Sequence, residues 1–356
     1  MTIRIAKTYD CLGEWDMGVK DFFIEELRRR QVVGGQERIK NRQKLVKYSE
    51  DELMVFVARL TAKNDLVVHD PYKFAMQIHN VDPRGENTSP KLEKLRREEI
   101  AIEKMINFLL FRVKRDACFD LHPIQREHNF RYKDTLADVL QRIKIPMPKT
   151  VPLAEFRKDF FPVYVKRVDR HSGRGIEFCR DESSLVMPEE KEQGLYIVQE
   201  AFNPPTRFPS NIRVVVYGGH VIGAMIYYNT GPRNVVNESA GCKGIPLTEE
   251  MQRPLKDREK AILDAYSLNG ELGKILNYAR KIGRYTKNFG MPAVALEFVM
   301  DRDTRRVGCV DANFLPFGLG IFHVLYRNRE PSTPTEQLRK IAGKELAHAY
   351  LKDSKR

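Results

Sequence analysis

Lys166 closes an apolar segment in which Val163, Val165 and Val168 suit a strand, and the chain then passes into His171, Ser172, Gly173, Arg174 and Gly175. The two glycines let backbone approach an anion closely, while Lys166, Ser172 and Arg174 bring charge or hydrogen-bond donors to it. Gripping a phosphate is the chemistry this spacing could serve. Taken alone, the segment fits an exposed strand lysine and an ordinary hairpin turn equally well. A second set is acidic. Glu297 lies in one apolar segment and Asp311 with Asn313 in the next, the latter two spaced to share one face of a strand. Two carboxylates and an amide oxygen are hard donors suited to Mg²⁺ that bridges nucleotide phosphates. Glu297 by itself could also be a surface carboxylate paired with an arginine, the weaker of the two readings. Asp311, in so apolar a segment, needs a partner.

The elements that must position these residues can be read along the chain. An alternating strand from Ile3 to Ala6 and a helix from Val19 to Arg30 open an α/β region. Strand-like stretches are expected from Glu52 to Val57 and from Asp65 to His69, then a loop from Asp82 to Pro90 and a long charged helix to about Lys114. A helix from Thr135 to Ile143 ends at Pro146 and Pro148. Strands then dominate: Pro162 onward, Tyr196 to Phe202, Ile212 to Tyr217 and Val221 to Tyr227, the last two joined through Gly218 and Gly219. Helical sequence from about Lys256 to Asn288 precedes strands Pro292 to Val299 and Val307 to Asn313, with a turn at Asp301. A final helix is expected from Pro334 to Leu351.

The 356 residues, 42% hydrophobic and 31% charged, predict two or three packed subdomains rather than one core or a disordered chain. Five cysteines, scattered and without Cys-x-x-Cys spacing, read as reduced thiols and exclude a disulfide framework or zinc finger. No apolar run approaches the roughly 20 residues that span a bilayer, and the charged opening residues do not read as a signal peptide. A cytoplasmic protein is expected, with no membrane partner. Lys plus Arg total 61 against 48 Asp plus Glu, a net charge of +13 that favours anionic partners without choosing among nucleotides, phosphorylated or carboxylate substrates, and nucleic acid.

Taken in order, Lys133, the segment from Pro162 to Ile176, Tyr196 to Phe202, Asn211 with Arg213, Glu297, and Asp311-x-Asn313-x-x-Pro316 resemble the ATP-grasp superfamily. The likeness is greatest to carboxylate-amine ligases of the ribosomal-protein glutamate ligase and glutathione synthetase type. It covers roughly Asn129 to Leu351. The resemblance implies an α/β chain with α+β lobes: an N-terminal α/β domain with a helical insertion over 1–128, a central ATP-grasp lobe over 129–202 and a C-terminal lobe over 203–356. It implies ATP and Mg²⁺ as cofactors. Lys133 and Lys166 match lysines on the ATP phosphates, and His171, Ser172, Gly173, Arg174 and Gly175 match a flap over them. Gln199, Glu200, Ala201 and Phe202 match the hinge that reads adenine. Glu297, Asp311 and Asn313 match the metal ligands, Arg213 an arginine facing the transferred phosphate, and Asn237 an asparagine of the reaction centre.

Four positions depart from the pattern. Asn211, placed among the nucleotide-binding residues, stands where an aspartate is usual. Glu297 and Asp311 exchange the usual Asp and Glu, and Phe317 replaces a glycine. The acidic exchange keeps the charge, and the otherwise intact set argues against an inactive relative. The activity implied by the resemblance is that of a ligase of a small-molecule or peptide carboxylate with an amine through an acyl phosphate, its substrates anionic and a homo-oligomer open. An alternative is an ATP-grasp kinase acting on an inositol phosphate or similar polyol, because the Asp311-x-Asn313-x-x-Pro316 element and the basic charge suit it too. A basic nucleic-acid-binding protein without catalysis is a third reading, weakened by the absence of finger, helix-turn-helix or aromatic RNA-binding signatures.

Overall fold

The computed structural model describes residues 3–7, 19–31, 33–38, 50–68, 133–168, 176–186, 194–231, 236, 242–247, 255–267, 270–288, 293–314 and 335–353. The expected loop and charged helix over 82–114 lie outside these residues. The elements are β1 (Ile3–Lys7), α1 (Val19–Arg29), β2 (Val33–Arg38), α2 (Glu50–Lys63) and β3 (Leu66–Val68). Next come α3 (Lys133–Arg142), β4 (Thr150–Pro152), β5 (Val163–Arg167), β6 (Ile176–Cys179), β7 (Tyr196–Glu200), β8 (Ser210–Tyr217), β9 (His220–Tyr228) and β10 (Lys243–Pro246). The last are α4 (Asp257–Ser267), α5 (Glu271–Lys287), β11 (Ala293–Met300), β12 (Val307–Phe314) and α6 (Thr335–Asp353). They form two compact units, one of Met1–Gln125, Gly283–Ala293 and Pro334–Arg356, the other of Arg126–Ile282 and Val294–Thr333. None of the described helices is long and apolar enough to cross a membrane.

In the first unit a parallel sheet has the order β2-β1-β3. Ile5 and Ala6 of β1 are fully buried, as are Phe23 and Leu27 on the apolar face of α1. Helix α6 packs on α1 so closely that a Cβ at Gly343 would stand 2.5 Å from the Phe22 Cβ and 2.7 Å from the Phe23 backbone nitrogen. The segment from Glu52 to Val57, expected as a strand, is the middle of helix α2. Val55 is 50% exposed and Val57 fully buried, a contrast that period-two alternation forbids and helical spacing produces. Strand β2 was not anticipated, because Gly34 and Gly35 and its polar residues carry little strand preference; parallel pairing with β1 makes it.

The second unit holds two antiparallel sheets, of order β4-β7-β5-β6 and β10-β9-β8-β11-β12. The β8–β9 hairpin turns through Gly218 and Gly219 at φ 52° and 96°, a left-handed conformation that favours glycine. The helical stretch expected from Lys256 to Asn288 is two helices, with Gly270 at φ 76° just before α5. Beyond α3 the proline-bearing segment runs along β12, where the Cys309 N–H donates to the Pro146 carbonyl at 2.9 Å. This close approach requires Gly308: a Cβ there would lie 2.5 Å from the Pro148 Cδ and 2.9 Å from its nitrogen. Gly308→Ala should therefore lower stability by about 1–3 kcal/mol, the usual range for overpacking, seen as an earlier urea midpoint with unchanged slope.

Candidate active site

Strand β5 sorts its residues by face. Val163 and Val165 point into a core shared with Leu153, Cys179 and Val198. Tyr164 and Lys166 alternate to the other side and line a cleft of about 360 Å³ within the second unit. Lys166 is 7% exposed, and its Nζ donates to the Gln199 Oε1 at 2.5 Å. The Gln199 Nε2 in turn donates to the Thr150 Oγ1 at 2.9 Å, so the amide that receives the lysine is itself held. Burial is the main cause that pulls the Lys166 ammonium down to about 8; Lys133 works in the same direction, while Asp311 and Glu297 oppose them. Lys133, buried at the start of α3, is thus joined to the same electrostatic cluster.

The acidic side of the cleft is set by register. Glu297 of β11 pairs directly with Asp311 of β12, and the pairing shifts by one residue immediately afterwards, where Phe298 faces Cys309. The extra residue is Val310. Such a bulge re-aims side chains, and here Val310 lines the cleft beside Val299 and Met300 while Asp311 acts on Lys166. Glu297 Oε1 accepts from the Arg213 Nη2 at 2.5 Å and Glu297 Oε2 from the Asn211 Nδ2 at 3.1 Å. Burial raises the Glu297 carboxyl above its ordinary value; Arg213 counters this and Asp311 adds to it. Burial works against the Arg213 charge too, but Glu297 and Tyr227 hold the guanidinium more firmly protonated than usual.

These oxygens fit Mg²⁺. Two carboxylates stand in register, and the Asn211 Oδ1 is a buried acceptor without a hydrogen-bond partner. No group of three or more His, Cys, Asp or Glu suited to a metal gathers among the described residues. Asn313 lies on β12 opposite Ala295, two residues beyond Asp311; its side chain is outside the described set. So are His171, Ser172, Gly173, Arg174, Gly175 and Asn237.

At the hinge, Gln199 turns its side chain to Lys166. Glu200 is committed to Arg306, whose Nη1 and Nη2 donate to its two oxygens at 3.0 and 3.2 Å, and it also accepts from the Lys149 N–H at 3.0 Å. The backbone N–H of Glu200 donates to the Lys149 carbonyl and that of Ala201 to the Pro162 carbonyl. Arg306 also lies over the Phe202 ring, 5.0 Å from its centre. One residue on, the Asn203 N–H donates to the Asp301 Oδ2 at 3.0 Å, which fastens the hinge to the β11–β12 turn. Tyr164, Phe178, Val299, Met300 and Val310 escaped the sequence reading as cleft residues. Of these, only Tyr164 carried a signal, its two-residue spacing from Lys166.

No protein-family model matches the sequence, nor does any curated protein. Solved structures do. The chain is similar to the ATP-grasp ligase PsnB complexed with a minimal precursor, at 12% identity and a TM-score of 0.51 over 99% of each chain. The macrocyclase MdnC bound with precursor peptide MdnA from Microcystis aeruginosa MRC gives 13% identity and 0.44 over 96% of this chain and 98% of that one. D-alanine–D-alanine ligase from Bacillus anthracis complexed with ATP gives 10% and 0.40 over 99% and 100%. Of these three, the first has the TM-score that defines the architecture: the chain has the ATP-grasp fold.

Proposed function

We propose that the protein is an ATP- and Mg²⁺-dependent ligase that joins a carboxylate to an amine through an acyl phosphate and releases ADP. The observation that carries this reading is a cleft lined by both a buried cation, Lys166 held by Gln199, and the carboxylate of Glu297, which is paired in register with a second acid, Asp311. Adenine would lie among Tyr164, Phe178, Ala201 and Val310, beside the hinge, and the phosphates would extend towards Lys166 and Lys133. Glu297, Asp311 and Asn313 would hold Mg²⁺, which when bound neutralises phosphate charge and orients the transferred group.

Catalysis in this reading is positioning and charge stabilisation. Lys166 and Lys133 oppose the charge that moves onto the leaving diphosphate. Arg213, firmly protonated, faces the phosphate being transferred and then the acyl phosphate, with Asn237 at the same centre. A substrate carboxylate oxygen attacks the γ-phosphorus and ADP leaves; the amine then attacks the acyl carbon, loses a proton, and inorganic phosphate departs. No protein nucleophile is required. The thiol of Cys309, two residues before Asp311, is pushed far above its ordinary value by burial and by Asp311, so it supplies no thiolate.

We assign substrate recognition to the N-terminal domain over 1–128 and nucleotide binding to the lobes over 129–202 and 203–356, with a cytoplasmic setting that supplies ATP. The test is a screen of amino acids, peptides and phosphorylated polyols for stimulated ADP formation. Phosphate release that requires a carboxylate and an amine together, with a product lighter than their sum by one water, supports ligation. Phosphate transferred to an alcohol would overturn it in favour of the polyol kinase.

A further inference from the structure

The proposed metal ligands leave one buried group of the cleft unexplained. Asn211 is 6% exposed and lines the cleft, yet its Oδ1 has no hydrogen-bond partner. The orientation of this amide is settled by chemistry: its other end lies 3.1 Å from the Glu297 Oε2, and only the N–H end can face a carboxylate oxygen at that distance. The oxygen is therefore fixed on the opposite side. A buried acceptor left bare is unfavourable, and a ligand that brings positive charge or a donor removes that cost. Two strand positions on, the Arg213 Nε is a buried donor also without a partner. One orphan needs a positive neighbour and the other a negative one. A cation carrying a phosphate oxygen satisfies both.

We propose that Asn211 is a fourth protein oxygen donor to the cation shell, through Oδ1, while its Nδ2 orients Glu297. This rests on the nucleotide-site reading above and extends it to a residue outside the acidic pair and Asn313. It also links the departures noted in the sequence. Glu297 is long enough to reach across to β8, where its Oε2 accepts from the Asn211 Nδ2 at 3.1 Å. An amide offers the metal an oxygen and Glu297 a donor.

Mn²⁺ binding in the presence of ADP, read by electron paramagnetic resonance on the full chain, tests this without turnover. Asn211→Leu removes both ends of the amide, and Asn211→Asp keeps the oxygen while losing the donor. Asn211→Leu should weaken Mn²⁺ about tenfold or more, the scale of shell substitutions in metal sites, whereas Asn211→Asp should stay within about threefold of the parent. Unchanged affinity in Asn211→Leu overturns the proposal. So does an Asn211→Asp variant as weak as Asn211→Leu, since the amide would then serve Glu297 only; this second variant decides the matter if the first does not fold. A parent chain without ADP-dependent Mn²⁺ binding would remove the nucleotide-site reading as well, whereas a parent that binds beside an unaffected Asn211→Leu removes this inference alone.

Discussion

Asp311→Asn should lower ADP formation by about a thousandfold or more, the scale on which a single preorganised electrostatic group acts at a reacting phosphate. The fold should survive the change. Asp311 is half-buried beside Glu297, whose carboxyl it pushes upward, and it also supports the Lys166 ammonium, so an uncharged side chain relieves one repulsion and gives up one attraction. Without metal or nucleotide, the melting temperature is therefore expected near that of the parent. The variant should lose the extra stability conferred by Mg²⁺ and ADP together, because a ligand stabilises only to the extent that it binds the native state. Differential scanning fluorimetry with and without Mg²⁺·ADP, beside a coupled ADP assay, reads both quantities. Full turnover, or undiminished Mg²⁺·ADP stabilisation, would show that the metal is held elsewhere.

Lys166→Met carries the second large effect, and pH separates its two parts. Turnover should fall about 10²–10³-fold, as expected when one fixed charge near a developing anion is removed. Stability obeys the opposite logic. The buried ammonium titrates near 8 against 10.5 for an ordinary lysine. Between those values the unfolded chain binds more protons than the native one, so parental stability rises with pH across that window. Below pH 8 the buried charge costs about 3 kcal/mol. Methionine removes that cost but leaves the Gln199 Oε1 without its donor, which returns about 1–3 kcal/mol. At pH 7 the variant should thus be at least as stable as the parent, and its relative advantage should shrink as pH rises from 8 towards 10.5. Urea unfolding at several pH values measures this. A variant that is both active and pH-independent relative to the parent would place Lys166 outside the nucleotide site.

A basic chemistry-bearing strand and an acidic strand pair were legible because each depends on local pattern. Alternation along β5 separates Val163 and Val165 from Lys166, and alternation along β12 puts Asp311 and Asn313 on one face, whatever the rest of the chain does. The Gly218 and Gly219 hairpin was legible for the same reason: a turn with two left-handed residues strongly favours glycine. Local pattern failed where two periods compete. Glu52 to Val57 is short and apolar enough to suit either element, and burial of Val57 with exposure of Val55 decides for the helix. It failed at β2 as well, where a parallel neighbour supplies the hydrogen bonds that the sequence does not advertise.

The candidate residues could be named from the sequence alone: Lys166, Glu297 and Asp311 by type and spacing, Lys133 and Arg213 by the resemblance carried in their order along the chain. Their mutual arrangement was decided by tertiary structure. The one-residue shift after Glu297 turns Val310 into the cleft, the side chain of Gln199 receives Lys166, Glu200 is taken by Arg306, and Asn211 meets Glu297 on the neighbouring strand. Each of these is a contact between residues at least 33 positions apart in the chain or a shift of pairing between strands. Such contacts are selected by packing and by the cost of leaving buried polar groups unpaired, and neither is encoded in a local pattern.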